Sequence, residues 1–371
     1  MKIAIQAADL DCNRIDGTRV YILNLLRRFG ALSPEDEFII YHKKDFNPEL
    51  APPDFPNYKI KKFNWPVFWT QTRFALELSK DKPDVLWMPM HNIPLFKSKK
   101  IKTTVTIHDL AFKIFPDHFP GRDLLKLNFL TNLAVKNADK IIAVSESSKK
   151  DILKFYPSAT PDKIRVIHHG LDSDLFQKEI SSDKITKRLT AYNLQPKDYV
   201  LCVGALQPRK NLETLIESFN LIKKNNPEIK LVLAGGKAWM WENVFKKAEK
   251  SPCSKDIIIT GTIPFEDIVI LYRNASLFVF PSLYEGFGIP VLEAMAAGAP
   301  VICSRNSSLP EAGGEAALYF DARNAGELAG KINSILSDKK LGDDLIAKGR
   351  EQIKKFSWDK CARETLEWIK K

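Results

Sequence analysis

The sequence predicts an α/β protein built from two doubly wound domains. Its 371 residues are enough for two domains of ordinary size. Residues 2–29 predict a buried strand, a loop containing Gly17 and a helix, which is how a doubly wound domain begins. The same order of strand, glycine-containing loop and helix returns at 198–223 and again at 277–298.

The composition is that of a globular protein whose positive charge is spread along the chain. Hydrophobic residues make up 44% and charged residues 27%, and no apolar run reaches the length of a membrane span. The net charge of +11 is divided almost evenly between the two halves, so we expect no nucleic-acid partner. Five scattered cysteines without a Cys-x-x-Cys pair predict neither disulfides nor zinc. Together with a first strand in place of a signal peptide, they favour the cytoplasm.

In the first half, a predicted strand over 102–107 ends in His108 and Asp109. Because ligands of open α/β sheets gather beyond the carboxyl ends of the strands, this pair is a candidate polar site. A structural histidine is an equally good interpretation. The loop at Gly17 lacks the Gly-x-Gly-x-x-Gly fingerprint, which argues against a dinucleotide. Helices are predicted over 20–29, near 70–79 and over 122–136.

Three further patterns in the first half have both a structural and a functional interpretation. The aromatic stretch 63–69 fits either core packing or binding of a lipid-linked acceptor at a membrane surface. The lysine clusters at 59–62 and 97–102 fit solvated surface, or contact with anionic lipid. The acid pairs Asp9/Asp11 and Asp172/Asp174 resemble metal ligands, but we interpret them as turns or caps.

In the second half, a strand over 198–203 leads into a loop with Gly204, Arg209 and Lys210. Adjacent Arg and Lys side chains in such a loop can neutralise a diphosphate, although ordinary surface charge is the simpler interpretation. The next two strands end at Gly235 and Gly261. A polar stretch over 177–197 suits a connection between domains.

The stretch 276–298 predicts a phosphate site between two acids. A strand over 277–280 is followed by a glycine loop and by a helix from about residue 291, and a helix start attracts phosphate. We expect Glu285 at the strand end and Glu293 in the first helical turn. Carboxylates accept hydrogen bonds from hydroxyls, so the expected ligand carries hydroxyls beside its phosphates, as a sugar nucleotide does. A buried corner whose acids cap the helix is the alternative.

The Glu-x7-Glu pattern within 285–298 resembles the donor-site motif of the family 4 retaining glycosyltransferases, which have the GT-B fold. Residues 106–112, Thr-Ile-His-Asp-Leu-Ala-Phe, and the Gly-x5-Lys-Asn pattern of 204–211 also resemble this family. The most similar subgroup contains bacterial mannosyltransferases of surface polysaccharide assembly. The resemblance implies two Rossmann-like domains facing across a cleft. Their ranges are 1–180 on the acceptor side and 190–355 on the donor side, with a terminal helix over 356–371 that crosses back to the first domain.

The resemblance also implies roles for individual residues. The catalytic residues would be His108, Glu285, Arg209 and Lys210, with Asp109 on the acceptor side. The residues that would bind the donor are Gly17, Gly204, Arg209, Lys210, Gly235, Gly261, Gly288, Ile289 and Glu293.

The activity implied is transfer of a hexose, with retention, from a nucleotide-diphosphate sugar to a glycan or lipid-linked saccharide. GDP-mannose is the expected donor, and neither a metal nor another cofactor is expected. The alternatives are a UDP-sugar-dependent transferase of the same family and a GT-B-fold sugar-nucleotide epimerase. An inactive partner subunit with an intact fold is a further possibility. Peripheral contact with the inner face of the cell membrane is also expected.

Overall fold

Two parallel sheets, each in its own structural unit, organise the chain. The computed structural model describes residues 1–13 and 15–371. The first unit comprises 1–116, 120–170 and 356–371, and the second comprises 117–119 and 171–355. The family resemblance implies that the first domain ends at residue 180. The chain enters the second unit at 171, because the short helix over 174–177 packs against helices of that unit.

The first unit contains a seven-stranded parallel sheet in the order β3-β2-β1-β4-β5-β6-β7. Its strands are β1 (Lys2–Gln6), β2 (Glu37–His42), β3 (Tyr58–Lys62), β4 (Val85–Met88), β5 (Lys102–Ile107), β6 (Lys140–Ala143) and β7 (Ile164–Val166). The central strands are apolar and buried, as a sheet covered on both faces requires. The lysine cluster at 59–62 lies in β3, an edge strand on which exposed lysines discourage pairing with another chain.

The helices of the first unit are α1 (Gly17–Leu32), α2 (Arg73–Asp81), α3 (Ala111–Ile114), α4 (Gly121–Asn137) and α5 (Glu146–Phe155). Helix α1 begins at Gly17, earlier than the sequence predicts, because the Asp16 side chain accepts a hydrogen bond from the Arg19 N–H and caps the helix. Helix α2 begins at Arg73, not near residue 70. Ser145 caps α5 by accepting a hydrogen bond from the Ser148 N–H.

The second unit contains a six-stranded parallel sheet in the order β10-β9-β8-β11-β12-β13. Its strands are β8 (Tyr199–Val203), β9 (Lys230–Ala234), β10 (Ile257–Gly261), β11 (Leu277–Phe280), β12 (Val301–Ser304) and β13 (Ala317–Phe320). Its helices are α6 (Asp174–Gln177), α7 (Ser182–Ala191), α8 (Leu212–Ile222), α9 (Glu242–Glu249), α10 (Phe265–Asn274), α11 (Ile289–Ala296), α12 (Leu309–Gly313), α13 (Ala325–Ser337) and α14 (Lys339–Ile353).

The last helix, α15 (Trp358–Lys370), belongs to the first unit although it follows the second in sequence. It packs along α1, and Trp358 is buried in the core that Tyr21, Phe29 and Trp87 help to form. Ser357 caps its start by accepting a hydrogen bond from the Lys360 N–H. The family resemblance implies this return of the terminal helix to the first domain.

Candidate active site

The candidate donor residues lie where the strand order of the second sheet reverses. The sheet runs from β8 towards β9 on one side and towards β11 on the other. Arg209 and Lys210 follow β8, and Glu285 follows β11. Because β8 and β11 are parallel neighbours, their carboxyl ends open at the same edge. Such a reversal is the usual ligand position in an open α/β sheet.

At this edge Arg209, Lys210 and Glu285 form a cluster of three charges, in which Glu285 is buried and the two cations are partly buried. Arg209 Nη1 lies 2.9 Å from Glu285 Oε2, and Lys210 Nζ lies 2.7 Å from Glu285 Oε1. Arg209 also donates to the Tyr284 carbonyl, and the Lys210 ammonium lies 4.6 Å from the centre of the Phe280 ring. Each carboxylate oxygen therefore faces one cation, and both cations are held in place.

Burial and charge act in opposite directions on this cluster. Burial alone would raise the pKa of Glu285, but Arg209 and Lys210 outweigh it and lower that pKa to about 2. Burial lowers the pKa of Lys210, and Glu285 opposes this effect. Glu285 is therefore a weakly basic carboxylate at neutral pH. The cluster carries one excess positive charge, which suits it to bind an anion.

Hydroxyl and amide side chains hold the loops that carry the cluster. The Glu285 N–H donates to Ser307 Oγ over 2.9 Å, and Ser308 Oγ lies 2.9 Å from the carbonyl oxygens of Glu285 and Phe287. Asn211 has a φ of +56° and donates to the Pro281 carbonyl over 3.0 Å. The local sequence pattern does not reveal that these serines bind the Glu285 loop.

Helix α11 begins at Ile289, with Gly288 before it at a φ of +109°. A Cβ on Gly288 would lie 2.7 Å from Leu309 Cδ2, so this position requires glycine. Pro290 has no N–H, and the Val291 N–H bonds to the Gly288 carbonyl. The backbone donors at this helix start that could face a ligand are therefore those of Gly288 and Ile289.

Glu293 lies in a different place from the one predicted. It is the fifth residue of α11, past the first turn, because the helix begins at Ile289 rather than near residue 291. Tyr272, on α10, donates to Glu293 Oε2 over 3.0 Å. Burial raises the pKa of Glu293 to about 7. The two acids of the motif thus differ: the pKa of Glu285 is lowered by its two cations, whereas the pKa of Glu293 is raised by burial.

The remaining donor-side glycines lie at neighbouring strand ends. Gly204 follows β8, Gly235 follows β9, and Gly261 ends β10. The Gly204 N–H donates to the Ala234 carbonyl over 2.9 Å, and Gly235 forms a bridge with Gly261. The structure therefore brings all three to the edge that carries Arg209 and Lys210. Gly17 lies in the other unit, as the first residue of α1.

In the first unit His108 stands at the carboxyl end of β5. Its Nε2 lies 2.9 Å from the Pro89 carbonyl oxygen, which can only accept, so Nε2 carries the proton. Its Nδ1 is buried and has no partner among the described residues. Burial lowers the pKa of His108 to about 4. His108 is therefore a neutral imidazole with an open acceptor, packed edge-on against Tyr21 at 5.0 Å between ring centres.

Asp109 accepts a hydrogen bond from the Ala111 N–H over 3.0 Å at the start of α3. Its role beside His108 stays a prediction. Sequence reasoning missed His91, which follows β4 next to β5 and whose Nδ1 is also buried without a partner in the described part of the chain. The signal was its position at a strand end, the same signal that identified His108.

The patterns with two interpretations also have positions in the structure. Within the aromatic stretch, Trp69 is buried, whereas Phe68 is 76% exposed and Trp65 is 43% exposed. The Asp11 carboxylate accepts from the Lys43 and Lys44 N–H groups, which fits the interpretation of that acid pair as a structural cap. Among the described residues, no helix is long and apolar enough to cross a membrane.

Comparison with known proteins gives the same domain types. The family model described as "Glycosyltransferase Family 4" matches residues 15–175, and the one described as "Glycosyl transferases group 1" matches residues 186–352. A crystal structure of HepE from Anabaena with UDP and glucose superposes with a TM-score of 0.75 at 18% identity, over 99% of this chain and 98% of that one. The chain therefore has the GT-B fold.

Two relatives are named for the sugar that they transfer. The O-antigen chain mannosyltransferase B of Escherichia coli is 31% identical over 268 residues, which are 71% of this chain and 69% of that protein. The serotype-specific mannosyltransferase WbdA of E. coli is 29% identical over 76% of this chain, but the match spans only 34% of WbdA. With both family models matched and a relative of this similarity, the chain belongs to glycosyltransferase family 4 and is a glycosyltransferase.

Proposed function

We propose that this glycosyltransferase transfers mannose from GDP-mannose to a glycan or lipid-linked saccharide, with retention of anomeric configuration. The relatives named above, both mannosyltransferases, support the sugar. The observation that carries the proposal is the Arg209–Glu285–Lys210 cluster at the donor edge. It offers two fixed cations to a diphosphate and a carboxylate to the hydroxyls of a sugar.

In this proposal the cations act on the leaving group. The bond between the anomeric carbon and a diphosphate oxygen breaks, and negative charge grows on the diphosphate. Arg209, Lys210 and the N–H groups of Gly288 and Ile289 stabilise that charge, and because they are already positioned they need little reorganisation. No metal is included in this step. Glu293 binds the ribose hydroxyls.

Retention follows if the acceptor hydroxyl attacks on the face that the diphosphate leaves. The acceptor oxygen bonds to the anomeric carbon, and its proton passes to a diphosphate oxygen. A covalent intermediate on Glu285 is disfavoured, because two cations hold this carboxylate and its pKa of about 2 makes it a poor nucleophile. His108, as a neutral acceptor, binds a sugar hydroxyl on the first unit.

The first experiment is parallel calorimetric titration of the protein with GDP, UDP, ADP and dTDP in the presence of EDTA. We expect GDP to bind at least about tenfold more tightly than the others, a difference of about 1.4 kcal/mol. UDP preference would indicate a UDP-sugar donor and contradict the mannosyl assignment. Binding that requires added Mg²⁺ would contradict the metal-free step, and no binding of any nucleotide would contradict the proposal.

The second experiment is transfer of radiolabelled mannose from GDP-mannose to a lipid extract or oligosaccharide pool. An α-linked product confirms retention, because the donor is α-linked, and a β-linked product contradicts it. The same assay with the Glu285→Gln variant is the control, because it shows how much of the label transfer depends on the activity of the enzyme.

We also propose that the first unit contacts the membrane peripherally. Phe68 and Phe96 are 76% and 81% exposed, and Gln71 joins their two loops by accepting from the Leu95 N–H and donating to the Ile93 carbonyl. Lys99 and Lys100 lie in the second of these loops. Aromatic side chains beside lysines suit an anionic lipid surface. Sedimentation with phosphatidylglycerol vesicles tests this, and equal binding of the Phe68→Ser/Phe96→Ser variant would contradict it.

A further inference from the structure

The loop after β9, residues 235–241, lies against the loop that carries the diphosphate cations. The Leu206 N–H donates to the Gly236 carbonyl over 2.9 Å, and the Ala238 N–H donates to the Leu206 carbonyl over 3.1 Å. Leu206 belongs to the stretch between β8 and Arg209. Residues 237–241 have no role in the function proposed above, although they share this edge of the sheet.

On its other side the same loop contacts the end of β10. Gly235 forms a bridge with Gly261, and a Cβ on Gly236 would lie 2.5 Å from Thr262 Oγ1. Loop 235–241 thus lies between the cation loop and the loop after Gly261. A nucleoside diphosphate whose phosphates lie on Arg209 and Lys210 extends its ribose and base away from them. A base directed towards the β9 side would meet this loop first.

The two tryptophans of the loop have different surroundings. Trp241 packs on the core of the second unit, with its ring 4.9 Å from that of Phe245, and the Lys237 ammonium lies 3.7 Å from the centre of the Trp241 ring. Trp241 and Lys237 therefore anchor the loop. Trp239, two residues earlier, is 45% exposed and leaves a large aromatic surface open to solvent.

The backbone between these tryptophans is in an unusual conformation. Met240 has a φ of +54°, and it is 37% exposed. Residues other than Gly, Asn and Asp seldom adopt this left-handed region, and such positions concentrate at ligand sites. An exposed aromatic side chain beside a strained residue, at the edge of a ligand-binding sheet, indicates a surface kept for a ligand.

We propose that Trp239 stacks on the nucleobase of the donor. This inference rests on the proposed function and adds a specificity-determining residue to it. Stacking on an indole depends on the area of the facing ring, so a purine gains more than a pyrimidine. Trp239 therefore contributes to the preference for GDP over UDP. The phosphates and ribose stay with Arg209, Lys210 and Glu293.

The test is calorimetric titration of the full chain and three variants with GDP, UDP and inorganic pyrophosphate. For Trp239→Ala we expect GDP to bind about 5- to 150-fold more weakly, the range that loss of one base stack produces. UDP binding should weaken less, and pyrophosphate binding, which involves no base, should stay unchanged. Trp239→Phe should remain close to the wild type. Leu221→Ala, which removes an exposed apolar side chain on α8 of the same unit, is the matched control.

Each result decides the inference. Unchanged GDP binding in Trp239→Ala overturns it and leaves the proposed function standing. A loss of pyrophosphate binding as large as that of GDP also overturns it, because the substitution then acts on the phosphate site. A loss in Trp239→Phe equal to that in Trp239→Ala contradicts stacking. A wild-type protein that binds no nucleotide contradicts both this inference and the proposed function. Quenching of tryptophan fluorescence by GDP in the wild-type protein, and weaker quenching in Trp239→Phe, would support the contact directly.

Discussion

The polar side chains at the carboxyl ends of the strands are charged in the second unit and neutral in the first. We call these two places the charged edge and the neutral edge. At the edge of the second unit, Arg209 and Lys210 face Glu285 at 2.9 and 2.7 Å, so the polar atoms are charged and paired. At the edge of the first unit, His108 is neutral, packed against aromatic Tyr21, and its Nδ1 has no partner in the described part of the chain. The first arrangement suits a diphosphate, and the second suits an uncharged hydroxyl.

Similar topology in the two units does not dictate similar chemistry. Both sites follow central strands of parallel sheets, and their side chains are buried or partly buried. The difference arises from the neighbouring strand ends. In the second unit, β8 and β11 supply opposite charges to one place, whereas in the first unit β4 and β5 supply two histidines. Burial then keeps the charged cluster paired and the histidines neutral.

Removal of a cation from the charged edge should have the largest effect. We expect Lys210→Ala to lower kcat about 100- to 1000-fold, because Lys210 stabilises charge that grows only in the transition state. Affinity for the donor should fall less than about tenfold, an estimate that assumes Arg209 still holds the diphosphate. Initial rates with GDP-mannose and calorimetric titration with GDP separate the two quantities.

Lys339→Ala, at a surface position where the side chain is 89% exposed, is the control. Equal losses of kcat and affinity would contradict the assignment.

Neutralising the carboxylate of the same cluster should have the next largest effect. We expect Glu285→Gln to fold normally and to lower kcat about 100-fold, since it removes a charge-assisted contact with Arg209, with Lys210 and with the sugar hydroxyls. Steady-state rates measure this, with circular dichroism as the check on folding. Glu249→Gln, at an exposed position near the end of α9, provides the comparison. Turnover close to the wild type would rule out a central role for Glu285.

Glu293 should make stability depend on pH within the second unit. Its pKa is raised from an ordinary value of 4.5 to about 7, so the folded protein binds more protons than the unfolded chain between these values. Its contribution to stability is therefore present below about pH 4.5 and is lost as the pH rises through 7. The free energy of unfolding of Glu293→Gln should therefore rise relative to that of the wild type as the pH increases from about 5 to about 8. Allowing for partial exposure of Glu293, we expect this relative rise to be about 2 kcal/mol.

Thermal denaturation of the nucleotide-free protein at pH 5, 6.5 and 8 tests this prediction, because the other titrating groups are common to both proteins. The amide introduced by Glu293→Gln keeps a carbonyl that can accept the Tyr272 hydrogen bond, so the variant changes charge more than packing. Parallel stability curves for the two proteins would mean that Glu293 is ionised throughout and would contradict the raised pKa.

The sequence predicted the parts of the structure that depend on local pattern. Apolar strands, some followed by glycine loops, indicated two doubly wound domains, and the family resemblance assigned Arg209, Lys210 and Glu285 to one donor site. The parts that it missed depend on packing between distant segments. The Tyr272 partner of Glu293 comes from α10, and Ser307 reaches Glu285 from the loop after β12. Strand β3 was hidden because its lysines resemble surface charge.

The neutral edge should give the smallest effect and the sharpest contrast. We expect His108→Phe to lower kcat/KM about tenfold, because it removes one hydrogen-bond acceptor while keeping a ring against Tyr21. Since the pKa of His108 is about 4, the imidazole is neutral throughout pH 6–8. The pH–rate profile of the variant should therefore run parallel to that of the wild type in this range.

GDP affinity, a property of the charged edge, should not change. Rates from pH 5.5 to 8.5 and GDP titration test both expectations. A titration near pH 6.5 that disappears in His108→Phe would show that this histidine is charged during turnover, and the contrast between the two edges would then not hold.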